Sequence, residues 1–231
     1  MAEQEYMSER IVLIRQNLSE QAKEAVKRSL IIGAYKPGER LLLRRVADEL
    51  GISVTPVREA LLQLVAEQAL VMGENRTIVV PTMSVEYFDE ITEIRIDLET
   101  KAAKYATKLI SESTIEELER LHATVIESKK VGDYTSTRVA NENFHFTLYR
   151  ASGKHVLCRL IEALWVQAGP LINRLYDPPL PITGRHDHFD IIEGLRKRDA
   201  AMVTKGLRND LLMNAKIVRE RIANVGAQDN G

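Results

Sequence analysis

The chain has 231 residues, of which 45% are hydrophobic and 28% charged, globular proportions that exclude extended disorder, collagen-like repeats and a disulfide scaffold. Aromatics at 5%, with 12 Gly and 7 Pro, favour helix over extended sheet, and the length suits two modest domains. The net charge of −1 excludes a uniformly basic nucleic-acid coat, the single Cys158 closes no internal disulfide, and no apolar run approaches the roughly 18 residues of a membrane span.

From Ser19, apolar Ala22, Ala25, Val26 and Leu30 recur at three- and four-residue steps before Gly33, which predicts a helix with a marked stop. Pro37-Gly38 then marks a turn. LRRVADELG (43–51) puts Val46, Ala47 and Leu50 on one face of a helix only two turns long. Thr55-Pro56 opens a third helix, with Thr55 as N-cap and Pro56 in the first helical position; Val57, Leu61, Leu64 and Val65 form its apolar stripe. Two short aliphatic runs around Gly73-Glu74-Asn75 predict a hairpin.

Helix, helix, turn, helix, hairpin is the order of a winged helix-turn-helix, whose third helix enters the DNA major groove while the hairpin reaches the minor groove or backbone. Charge agrees with this placement: Lys23, Lys27, Arg28, Lys36, Arg40, Arg44, Arg45 and Arg58 outnumber Glu24, Glu39, Asp48 and Glu49, whereas the chain from Pro81 onward is balanced. Arg58 falls in the first turn of the third helix, where its planar fork can pair with guanine O6 and N7. Ser53 and Thr55 lie at the same end, where hydroxyls and free N–H groups hold phosphates. Arg40, Arg44 and Arg45 flank the phosphate backbone in this reading, and Arg76 sits at the wing tip. Any one of these residues is equally explained as a solvated side chain, an ion-pair partner or a cap; their combination is what points to DNA.

The stretch KPGERLLLRRVADELGISVTPVREALLQLVAEQALV resembles the DNA-binding domain of GntR-type transcription regulators, with its PG-RL turn and LG-S-TPVREAL recognition segment. Two positions depart from that pattern. Val54 stands where many relatives carry an Arg, and Thr77 where the wing often has Gly. A lost base contact removes about 1 to 3 kcal/mol of discrimination, so the operator sequence is expected to differ.

Six further stretches carry helical periodicity: Val85 to Ile110, Thr114 to Lys130, Asp133 to Ala151, Val156 to Tyr176, Arg185 to Arg198 and Ala200 to Ala223. Breakers and N-cap residues separate them, at Ser111 to Thr114, Gly132-Asp133, Ser152-Gly153, Pro178 to Pro181 and Asp199. The expected fold is mainly α: a winged helix-turn-helix over residues 10–81 and an all-α bundle of six or seven helices over 83–226.

The patterns EITEIRIDLE, NENFHFTLYRASG and the His188 segment before RKRDAAMV resemble the FCD effector domain of FadR-like regulators. The resemblance implies a divalent metal, Zn²⁺, Ni²⁺ or Mn²⁺, held by Asn141, by His145 four residues later and by His188; at the fourth position, Asp210 stands in place of His. Two imidazoles and a carboxylate suit these ions, and an amide oxygen is a weak neutral ligand. Without an ion, the same polar cluster binds an organic acid directly, with Arg95 as bidentate donor and Tyr149 in the pocket wall. Arg95 is also explained as the ion-pair partner of Glu99 one helical turn away. His122, in a charged helix, is expected to be exposed. Neither His155 nor His186 makes a nucleophile–base pair, and Cys158 has no His to activate it.

These readings together describe a cytoplasmic, homodimeric transcription regulator, with no membrane partner, that binds double-stranded DNA at a two-fold symmetric operator. Charges in the first thirty residues leave no apolar core for a secretion signal. Repression relieved by a small carboxylate is what the family resemblance implies. The rival from another class is a helical metalloenzyme with Glu142 as general base and the N-terminal module used for assembly. A second rival keeps the DNA-binding module and makes the helical domain purely structural.

Overall fold

The computed structural model describes residues 18–173 and 187–228, with side chains described to residue 222. Residues 10–17 of the first module, the breakers at Pro178, Pro179 and Pro181, Tyr176, Arg185 and His186 lie outside the described residues.

The chain is mainly helical, with a small three-stranded sheet in its N-terminal module. Helix α1 (18–31) leads into strand β1 (Arg40–Leu41), α2 (Leu43–Leu50) and α3 (Val54–Ala66). Strands β2 (Val71–Met72) and β3 (Ile78–Val79) make the wing, joined by a 3₁₀ turn at Glu74–Arg76. The hairpin is where the aliphatic runs predict it, but β1 is an addition: Arg40 pairs with Val79 and Leu41 with Ile78, so the PG-RL segment becomes the third strand, in order β1-β3-β2. The left-handed residues of the wing turn are Asn75 and Arg76, at φ 54° and 58°. Thr77 is extended at φ −74°, so the position that often carries Gly in relatives needs none here.

Helix α3 begins one residue before Thr55, with Ser53 as the extended N-cap residue. Thr55 is therefore helical although Pro56 follows it. Pro56 still falls in the first turn, where a missing N–H leaves no helical bond unmade, and Pro56 and Val57 are buried in the module core. Leu61 and Leu64 complete the inward stripe, fully buried.

The second module is all helical: α4 (Val85–Leu109), α5 (Glu112–Lys130), α6 (Tyr134–Arg150), α7 (His155–Ile172), α8 (His188–Arg196) and α9 (Ala200–Gln228). Ser84, Ser111 and Asp133 cap α4, α5 and α6 through their side chains. Helix α4 packs along α9, α5 along α6, and α8 along α9. One apolar cluster runs from Val26 and Leu30 of α1 to Leu207 and Leu211 of α9, so the two modules share a continuous core. No described helix is long and apolar enough to cross a membrane.

Where the modules meet, backbone touches backbone. A Cβ on Gly169 of α7 would lie 2.5 Å from the Leu30 carbonyl oxygen and 2.7 Å from the Ile31 Cα. Asn173 Nδ2 donates to the carbonyls of Ile31 (2.6 Å) and Gly169 (2.8 Å). Gly33, at φ +67°, ends α1 where the Asn173 side chain already occupies the space a Cβ would need. Arg28 faces Glu142 at 3.5 Å across the same junction.

Candidate functional site

Arg40, Arg44, Ser53, Thr55, Arg58 and Arg76 are exposed. Arg58 is the fifth residue of α3, at the start of its second turn and not in the first as the sequence predicts, and it has no ion-pair partner among the described residues; neither have Arg40 and Arg44 in and beside β1 or Arg76 at the wing tip. Ser53 makes no side-chain cap bond, which leaves its hydroxyl beside the open N–H groups of α3 for a phosphate oxygen. Arg45 differs: it is exposed, but its guanidinium bonds Glu49 at 2.8 Å and Glu39 at 3.1 Å. Tyr35 also donates to Glu49, at 3.2 Å, and burial with that carboxylate pushes its phenol up to about 12. Arg45 thus braces α2 against the β1 turn, while its side chain stays exposed beside Arg44. The charge pattern of its neighbours, Glu49 four residues on, was the available signal.

On α3, Leu62 follows Arg58 by one helical turn, and Gln63, five residues on, is exposed as well. Gln63 lies off the apolar stripe and has the side chain for bidentate pairing with adenine, a role its sequence position alone does not assign. Val54 is packed against the core, so the absent Arg is replaced by packing.

In the second module, His145 from α6, His188 from α8 and Asp210 from α9 converge, all buried, with one ligand atom from each within 4.8 Å of the others. His145 Nε2 lies 3.3 Å from His188 Nε2 and 3.4 Å from Asp210 Oδ2. Ligands about 2.0 to 2.2 Å from a common ion stand roughly 3.0 to 3.4 Å apart, so this spacing fits a shared ion. Asn141, one turn before His145, lines a void of about 20 Å³ with His145, Asp210, Arg95, Thr92, Trp165 and Asn214. Phe144 stacks on His188 with ring centroids 3.8 Å apart and fixes that imidazole from one side.

Behind His145 lies a second layer. Glu99, fully buried on α4, accepts from Arg95 Nε at 2.7 Å, from Trp165 Nε1 at 2.9 Å and from the Tyr149 hydroxyl. Tyr149 in turn stands 3.1 Å from His145 Nδ1. Burial first, and then the Glu99 carboxylate, push the Tyr149 phenol well above its ordinary value, which keeps it a donor. His145 Nε2, on the other edge of the ring, faces His188 and Asp210. Two imidazole nitrogens 3.3 Å apart share one proton or hold one ion. The donor set fits a divalent metal; Asn141, His145, His188 and Asp210 are the residues that would hold it.

Arg95 makes the ion pair with Glu99 that its spacing allows, and it also reaches the void beside His145. Its Nε is bonded to Glu99, its guanidinium lies 4.8 Å above the Trp165 ring, and it lines the same void as Asn141, His145 and Asp210. Tyr149 does not line that void: it is fully buried behind His145. His122, expected exposed, is only 5% exposed, edge-on to Phe189 at 4.4 Å and to His188 at 5.4 Å, and burial followed by Lys129 pushes its imidazole down. The stripe Ile115, Leu118, His122, Val125 carries that placement in its spacing. Glu142 faces Arg28 across the module junction rather than the converging His and Asp side chains, which leaves the expected general base outside the centre. Thr92, with a buried hydroxyl that has no hydrogen-bond partner among the described residues, and Asn214, one turn after Asp210, are cavity groups the sequence reading missed.

Comparison with known proteins gives matches over both modules. A family described as "Bacterial regulatory proteins, gntR family" matches residues 18–80, and one described as "FCD domain" matches residues 90–212. The HTH-type transcriptional regulator McbR of Escherichia coli (strain K12) is 34% identical over 93% of this chain and 95% of its own. The solved structure of E. coli McbR/YncC superposes with a TM-score of 0.83 at 32% identity, covering 88% of this chain and 98% of that one. The HTH-type transcriptional repressor RspR of the same organism is 26% identical over 89% of this chain and 90% of its own.

Proposed function

The chain belongs to the gntR family of bacterial regulatory proteins, in the branch that carries an FCD domain, and from that premise we propose that it is a homodimeric repressor released from a two-fold symmetric operator by a small carboxylate. The observation that carries the DNA reading is the exposed Arg58 near the N-terminal end of α3, without an ion-pair partner among the described residues, on the helix whose N-cap Ser53 keeps its hydroxyl open. Arg40, Arg44, Thr55 and Arg76 complete the face that meets DNA. Two copies are required because one winged helix makes few base contacts, and a two-fold axis supplies the second half-site. The name of RspR as a repressor supports the sign of regulation.

The effector is a small carboxylate bound to a divalent metal, Zn²⁺, Ni²⁺ or Mn²⁺, on Asn141, His145, His188 and Asp210, with the free edge of Arg95 as its charged donor. The void there has room for about one water, so a carboxylate enters only if its walls move. Those walls include Ile172 and Asn214, which also line a second small void whose far side is Ile31 of α1 and Asn173. A ligand that prefers the opened arrangement therefore bears on the junction that holds the DNA-binding module, and only such a difference in affinity drives a switch.

The test is an anisotropy titration with duplex DNA from upstream of the chain's own gene. Arg58→Ala is expected to weaken binding by about 1 to 3 kcal/mol, and wild-type affinity to fall steeply with salt. A thermal-shift screen of carboxylates with Zn²⁺ then reads the effector, since a ligand at 100 times its dissociation constant adds about 2.7 kcal/mol. DNA binding that ignores both salt and Arg58 would overturn the regulator's docking mode.

A further inference from the structure

His145 is placed by its helix, but a partner behind it decides which nitrogen carries its proton. Three groups meet at Glu99. Arg95 Nε and Trp165 Nε1 can only donate, and both point at Oε1, at 2.7 Å and 2.9 Å. The other oxygen, Oε2, takes the Tyr149 hydroxyl. Glu99 and Tyr149 are both 0% exposed, so no water competes for these bonds. Glu99 therefore acts as the acceptor of Tyr149's proton, and Tyr149, with its hydrogen spent, accepts from His145 Nδ1 at 3.1 Å.

We propose that Glu99 and Tyr149 are positioning residues of the metal centre: the chain Glu99–Tyr149–His145 commits His145 to the Nδ1–H tautomer and so aims its Nε2 lone pair at the ion shared with His188 and Asp210. The inference rests on the metal reading made above. It gives α4 a part in metal affinity although no α4 side chain is among the ligands. It also places Arg95 in both layers, since the residue that bonds Glu99 by its Nε lines the void beside His145 and Asp210. Outer partners of this kind typically set metal affinity by about 10- to 100-fold.

Two variants separate the role from mere packing. Tyr149→Phe keeps the ring and deletes the acceptor. Glu99→Gln keeps the shape but turns an acceptor into a donor at Oε2's place: the amide N–H gives to the Tyr149 oxygen, Tyr149 gives its proton to His145 Nδ1, and the proton of His145 moves to Nε2, against the ion. The full chain is stripped of metal, and Zn²⁺ is titrated against a competing chelator. In parallel, the ¹⁵N spectrum of the metal-free, histidine-labelled chain, assigned with His145→Gln, reads the tautomer directly. The expected result is Zn²⁺ affinity lower by about 10- to 100-fold in both variants, with His145 as Nδ1–H in the wild type and shifted toward Nε2–H in Glu99→Gln. A variant that does not fold is replaced in the comparison by the other. Wild-type affinity in a folded variant, or a wild-type His145 protonated on Nε2, overturns the positioning role while leaving the metal site standing. No Zn²⁺ binding by the wild type overturns the metal reading itself and the positioning role with it.

Discussion

A buried guanidinium that must satisfy a carboxylate and still greet a ligand has its donors divided by geometry. Arg95 uses Nε for Glu99, stacks over Trp165 and also lines the void, with its Nη groups not engaged by Glu99. Lys has one compact ammonium and no fork, so at this position it can serve Glu99 or the ligand but not both. Arg95→Lys is expected to keep operator affinity without effector and to raise the carboxylate concentration needed for release by about 10- to 100-fold, the loss of one charge-assisted hydrogen bond. Release curves measured by anisotropy check it, and an unchanged midpoint would remove Arg95 from the effector's contacts. The sequence carried the ion pair of this residue in its four-residue spacing to Glu99. It also carried Asn141, His145, His188 and Asp210 through the family pattern. What it hid was depth: Tyr149 has the residue type of a pocket wall, yet its helix turn faces α4, and only the packing of α4 on α6 brings Glu99, fifty residues away in the chain, to its hydroxyl.

Helix starts in the second module are set by short polar side chains, and each is separable from the core. Ser111 Oγ accepts from Thr114 N–H at 3.1 Å and also meets the hydroxyls of Ser113 and Thr114, so one residue closes the open end of α5. Ser111→Ala is expected to lower stability by about 1 kcal/mol, a fall of roughly 2 to 4 °C in Tm for a chain of this size, with operator affinity unchanged. Differential scanning calorimetry reads the first and anisotropy the second; a Tm equal to the wild type would mean that solvent satisfies the α5 N-terminus as well as Ser111 does. These caps are why the helices of this module were legible to within a few residues. Strand β1 was not, because two residues are too few for an alternating pattern, and Arg40–Leu41 becomes a strand only by pairing with the wing. The start of α3 was misplaced for a related reason. The local bias of a residue before Pro was overridden by burial of Pro56 and Val57, a tertiary gain that no local rule contains.

For the whole molecule, the decisive feature is how tightly the DNA-binding module is seated on the effector domain. Gly169 lets α7 touch the Leu30 and Ile31 backbone, Asn173 ties Ile31 to the end of α7, and Glu142 faces Arg28 beside them. Both small voids share Asn141, Trp165, Ile172 and Asn214, so the ligand-bearing layer and the junction have common walls. In the proposed switch the path is short: Ile172 and Asn173 line the void that Ile31 of α1 also lines, and α1 joins the rest of the module through Val26 and Leu30 in the shared core. Gly169→Ala tests this path directly. A methyl group 2.5 Å from a carbonyl oxygen cannot be absorbed by a side-chain rotation, so the two modules must separate or α7 must bend. The cost is expected to be about 1 to 3 kcal/mol in stability. Functionally, the variant should still bind operator, because the α3 surface is untouched, but the carboxylate should no longer change that affinity, and protease should cut between the modules sooner than in the wild type. Operator titrations with and without effector, beside limited proteolysis, give the answer. Full effector release in a folded Gly169→Ala chain would mean that the α1–α7 contact is a support for the module and that the switch runs by another route.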